Sequence, residues 1–114
     1  MDSILTSIKK LLGIDASYDV FDPDIVMHIN SIFMILNQLG VGPATPFTIS
    51  NANAVWSDFM PDGERLELVK SYMALRVKAL FDPSQNSSVA EAQKNAANEF
   101  EWRLMVAADP KLEV

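Results

Sequence analysis

Residues 22–40 read DPDIVMHINSIFMILNQLG, and this stretch decides the fold. Asp22 suits an N-cap, Pro23 stands where its missing N–H costs nothing, and Asp24 complements the positive end of a helix dipole. Ile25, Ile29, Ile32, Leu36 and Leu39 repeat at helical spacing, and Gly40 supplies a stop. The pattern predicts a helix over 23–39. Val26, Phe33 and Ile35 widen the apolar stripe beyond one face, while Met27 and Met34 fall on the side that should be polar. A helix apolar nearly all round is buried on several sides. In a chain of 114 residues it is then either the central helix or one that also meets a neighbouring subunit.

Working outward, a first helix is expected over 3–12, with Ile4, Leu5, Ile8, Leu11 and Leu12 on one stripe. Asp2 or Ser3 can cap its start, Lys9 and Lys10 suit its negative end, and Gly13 can take a left-handed stop. Residues 14–21 form a short acidic loop. On the other side, a third helix over 64–81, capped by Asp62, carries Leu66, Val69, Met73, Val77 and Leu80, with Leu68, Tyr72 and Leu75 beside them. Asp82-Pro83 stops it, because the residue before proline avoids helical geometry. Ser88 and Glu91 make a capping box for a last helix over 89–108, with Val89, Ala92, Ala96, Phe100, Leu104 and Ala107 on its stripe. Asp109-Pro110 ends it.

Between Gly40 and Gly63, the residues Gly42, Pro43, Pro46 and Pro61 break any helix. Phe47-Thr48-Ile49 and Ala54-Val55-Trp56 are extended candidates around a turn at 50–53, so the segment is a small hairpin or an ordered loop. Trp56 and Phe59 are expected to pin it to the helices. The fold class is therefore all-α: a small four-helix, bundle-like domain over 1–110, with a short irregular or β-hairpin insert between helices two and three. Residues 111–114 are a free tail.

Composition excludes several chemistries. There is no Cys, hence no disulfide, thiolate metal site or cysteine nucleophile. His28 is the sole histidine, and no glycine-rich phosphate loop occurs. Asp15, Asp19, Asp22 and Asp24 lack the spacing, the glycine and the closing glutamate of a calcium loop, so no metal site is assigned. Glu99 and Glu101 are too close along a helix to face each other as an acid–base pair and read as a solvated face. No nucleophile, base and oxyanion group assemble, so neither catalytic residues nor a cofactor are expected. No signal-peptide pattern and no membrane span are visible, which makes a soluble intracellular protein the default.

The formal charge is -6, from 15 Asp and Glu against 9 Lys and Arg. An acidic chain is a poor generic binder of phosphate backbones. The charge is also segregated. No Lys or Arg lies between Lys10 and Arg65, where Asp15, Asp19, Asp22, Asp24, Asp58, Asp62 and Glu64 all fall. The cations gather on the third helix, at Arg65, Lys70, Arg76 and Lys78. Segregation of this kind suits head-to-tail contacts between subunits. Trp102 and Met105 lie off the core stripe of the last helix and are candidate interface anchors, as are Tyr72 and Arg76, one turn apart. Trp56 and Phe59 complete the candidate interface set.

The order of features carries a resemblance. Residues 4–14 (ILTSIKKLLGI) precede Phe21-Asp22-Pro23-Asp24-Ile25; then follow His28-Ile29-Asn30, Leu39-Gly40-Val41-Gly42 and a Trp56-centred loop. Leu80-Phe81-Asp82-Pro83 and Phe100-Glu101-Trp102-Arg103-Leu104 close the series. Over nearly its whole length the chain resembles the head–tail connector (adaptor, or head-completion) proteins of tailed bacteriophages. That resemblance implies a structural virion protein without catalysis, found at the head–tail interface and in the host cytoplasm during assembly. It implies a homo-oligomeric ring, dodecameric in the family, that docks under the portal protein and offers a surface to the neck or tail-completion protein. Genomic DNA would pass through the channel without sequence-specific binding. The alternative reading is a small helical regulatory module of phage or bacterial origin that binds another protein through one apolar patch.

Overall fold

In the computed structural model, which describes residues 3–108, five helices account for most of the chain: α1 (Ile4–Leu11), α2 (Asp22–Gln38), α3 (Trp56–Phe59), α4 (Glu64–Phe81) and α5 (Ser87–Ala108). The four longer ones are those the periodicity predicts, and α3 is a single turn within the insert. The molecule is a slab of 45 × 36 × 20 Å, two helices thick.

α4 is the hub. It packs against α5, α2 and α1, burying Leu66, Val69, Tyr72, Met73 and Val77. α2 buries Ile25, Ile29, Ile32, Phe33 and Leu36 against α1, α4 and the insert, while Met27 and Met34 stay exposed. Of the two readings of its excess apolar surface, the central place within the subunit goes to α4. α5 buries only Ala97 and Leu104, and Val89 and Ala92 of its expected stripe are exposed, because this helix packs chiefly on α4. Leu80, near the end of α4, is exposed as well, whereas Tyr72, which the pattern places beside the stripe, is fully buried.

The helix ends show which local signals acted. Ser3 caps α1, its Oγ accepting the Thr6 amide at 3.2 Å. Gly13 and Gly40 both lie in the left-handed region, at φ 79° and 82°. Each closes its helix with paired returns to the last turn: Gly13 N to Lys10 O with Ile14 N to Lys9 O, and Gly40 N to Asn37 O with Val41 N to Leu36 O. Three expected caps are replaced. Asp22 is the first residue of α2 rather than its cap; Phe21 holds the cap position, and the Asp22 carboxylate turns to Lys9 at 2.8 Å. Asp62 does not cap α4, which starts from Gly63 with Glu64 and Glu67 facing its dipole. At α5 the Ser88–Glu91 box is not formed; the helix begins at Ser87, and Asn86 Oδ1 accepts the amides of Ser88 and Val89 at 2.9 and 3.1 Å.

The insert is irregular, with no β-hairpin among the described residues. The Asn30 side chain takes both hydrogen bonds of Ile49, donating to its carbonyl at 2.9 Å and accepting its amide at 2.8 Å. Val55 makes an isolated antiparallel bridge to Ser3, supported by Ile4 N donating to Ala54 O at 3.0 Å. Asp58 then accepts the Val55 amide at 3.0 Å and opens the turn of α3, so the extended run stops before Trp56. Both candidate strands thus bond to helical elements instead of to each other. The expected helix stop at Asp109-Pro110 and the free tail lie outside the described residues.

Candidate protein interface

Of the six candidate interface residues, three have their side chains inside the subunit. Trp56 is buried against Phe33, its Nε1 donating to Ser7 Oγ at 3.3 Å and the Lys70 ammonium lying 5.8 Å from its ring centroid. Phe59 is buried between Phe33 and Phe47, with centroids at 4.7 and 5.5 Å. The two rings pin the insert to α2, as the sequence suggests.

Tyr72 is fully buried between α4 and α5. Its hydroxyl donates to Glu101 Oε2 at 2.7 Å, and the same oxygen accepts from Arg76 at 3.1 Å. The Arg76 guanidinium also donates to Asn98 Oδ1 at 2.8 Å and lies 5.4 Å from the Tyr72 ring centroid. Burial, reinforced by the neighbouring Glu101 carboxylate, pushes the Tyr72 phenol up to about 12. Glu101, which the sequence places on a solvated face, is therefore one member of a bolt joining α4 to α5. Only Glu99 stays fully outside, paired with Arg103 at 2.8 Å.

Trp102 is the most exposed of the six. It is 61% exposed on the outer side of α5, with Met105 half-buried one turn on. Sequence reading overlooked a second apolar surface. Tyr18 and Phe21, in the acidic loop, pack ring to ring at 5.8 Å, and Phe21 meets Phe81 edge-on at 5.3 Å. Tyr18, Val20, Phe21 and Leu80 are all exposed. The signal was present as three apolar residues in four positions, 18–21, without helical spacing to bury them.

The charges are less free than their segregation suggests. Lys70 pairs with Glu67 within α4, Lys78 with Asp82 at the cap that ends it, and Arg76 with Glu101 across to α5. Lys9 is 2% exposed, held by Asp22 and by the Ala16 carbonyl at 3.1 Å. Asp15 accepts the Ser17 hydroxyl and amide, bonds that lower its pKa below the usual carboxylate value. No group of three or more potential metal ligands occurs among the described residues. His28 is half-buried on α2. An open cleft of about 280 Å³ between α4 and α5 is lined by Leu75, Ala79, Ala97, Arg76 and Lys94, an apolar floor with two basic groups. No helix among the described residues is long and apolar enough to cross a membrane.

A family model described as phage connector protein matches residues 4–111. No curated protein and no solved structure matches the chain.

Proposed function

Because the chain belongs to the phage connector protein family, we propose that it is a structural virion protein whose subunits form a ring under the portal and link the DNA-filled head to the neck and tail. The family match over 4–111 carries this reading. The distribution of apolar surface supports it, since α2, α4, α5 and the 18–21 loop each expose large apolar side chains on a subunit with its own complete core. Packing between neighbouring subunits in the ring uses Trp102 and Met105 on α5, where an indole anchor stands outside the protomer core. Arg76 sits at the edge of that surface, and Trp56, Phe59 and Tyr72 serve it from inside by fixing the elements that present it. Ring closure fits heterologous contact, in which one face of a subunit meets a different face of the next.

Genomic DNA passes through the channel without sequence-specific binding. An excess of carboxylates on the lumen would repel phosphates and let the duplex slide, whereas unpaired cations would hold it. The charge of -6 and the pairing of three α4 cations within the subunit favour the sliding surface. A channel lined by Lys and Arg of α4 would overturn this point.

The test is mass in solution, alone and with purified portal. A ring that forms on the portal supports the connector. A stable dimer indifferent to portal supports the alternative, a small helical module that binds some other protein.

A further inference from the structure

The end of α5 is tied to the start of α4, beside an open groove. Arg65 donates to Ala107 O at 3.0 Å, and Ala108 packs on the core, its Cβ 3.7 Å from where a Cβ on Gly40 would stand. Arg65 is also part of the groove wall, and Gly42, two residues past Gly40, is another. The groove measures about 540 Å³ and is otherwise lined by Pro43 and residues 59–64. Phe59 and Met60, both buried, make its apolar floor, while Gly42 and Gly63 put no side chain into it. Its rim is acidic. Asp62 and Glu64 are exposed there, and neither has an ion-pair partner among the described residues.

We propose that this groove is the seat of the chain's own residues 109–114, which cross it as a strap rather than leaving 111–114 free. The segment reads DPKLEV. In an extended run, alternate side chains point to opposite sides, so Pro110, Leu112 and Val114 share one side and Asp109, Lys111 and Glu113 the other. The apolar side faces the floor, with Leu112 over Phe59 and Met60. On the charged side Lys111, the one cation of the segment, meets Asp62 and Glu64, which have no other cation to answer them. Place favours this occupant over any other. Ala107 already touches the groove wall through Arg65, and six extended residues reach about 20 Å. A segment attached at the mouth acts at an effective concentration in the millimolar range, so modest contacts suffice to hold it. The strap belongs to the single subunit and is independent of the ring under the portal.

The chain has no Cys, so a spin label attached through Val114→Cys is unique in the full-length protein. In dilute, isotope-labelled protein the label is expected to broaden the amide resonances of Gly42, Met60 and Gly63. Leu112→Ser should remove most of that broadening. Lys111→Glu should reduce it, and Asp62→Lys in the same chain should restore it, a rescue that a segment merely brushing the surface would not show. Absence of broadening at the groove, or broadening of equal size in the Leu112→Ser and Lys111→Glu chains, would overturn the proposal. Mixing spin-labelled chains with isotope-labelled chains that carry no spin label separates one molecule from two. Broadening that reaches full strength in the mixture would assign the groove to the 109–114 segment of a second copy and overturn the proposal equally.

Discussion

An ammonium group taken out of water costs several kcal/mol unless an opposite charge accompanies it, and at Lys9 that charge comes from the next helix. The Asp22 oxygen facing it is buried and takes no hydrogen bond, so the ammonium is its whole compensation. Asp22→Ala strands the Lys9 charge and should lower stability by about 3 kcal/mol in urea unfolding, whereas the double variant Lys9→Met with Asp22→Ala, which removes both charges, should cost less than Asp22→Ala alone. Equal losses from the single and the double variant would show that the pair matters through packing alone. Tyr72 gives a prediction in pH. Its folded-state proton is held more tightly than in the unfolded chain, where the phenol titrates near its ordinary value of 10.0. Stability from this group is therefore complete below pH 10 and is lost as pH rises from about 10 to about 12, since the unfolded state binds fewer protons over that window. The free energy of unfolding measured across that range should fall more steeply for the native protein than for Tyr72→Phe. Neither role is legible locally. Lys9 reads as a dipole partner because α1 ends there, and its true partner lies across an irregular loop.

At the scale of elements, the long helices were legible and their neighbours were not. Periodicity reports which face of a helix is apolar, and α4 runs over the range 64–81 that it predicts. Caps are decided by competition for the same oxygen, which is why Asp22 left the cap for Lys9 and Asn86 displaced the Ser88 box. Asn86→Ala should then destabilise by about 1 kcal/mol, while Ser88→Ala changes stability within error. A comparable loss from Ser88→Ala would restore the box. The insert failed for another reason. β-branched and aromatic runs say that a segment is extended, but not what it bonds to, and here Asn30 on α2 satisfies Ile49 in place of a second strand. Asn30→Ala leaves that buried amide and carbonyl without partners and should cost about 2 kcal/mol. Faster hydrogen exchange at the Ile49 amide would localise the loss; unchanged exchange there would refute it.

The whole molecule is a thin slab, and a slab has two broad faces to offer its neighbours. Trp102→Ala should leave the subunit's melting temperature within about a degree, since single exposed side chains contribute little to stability, and should weaken ring assembly measured by mass on the portal by about tenfold or more. Assembly unchanged in that variant would remove Trp102 from the interface. The family could be read from feature order along the chain. Which apolar residues stay outside could not, because exposure depends on how α1, α2 and α5 divide the surface of α4. The tie between α1 and the insert has a consequence in time. Ile4 N bonds to Ala54 O, so the first helix cannot be locked until the chain has grown fifty residues past it. At about 5–20 residues per second, synthesis leaves Ile4, Leu5 and Ile8 uncovered for roughly 3–10 s. α1 thus waits for a partner fifty residues downstream, and during translation it is a segment that a chaperone has reason to hold.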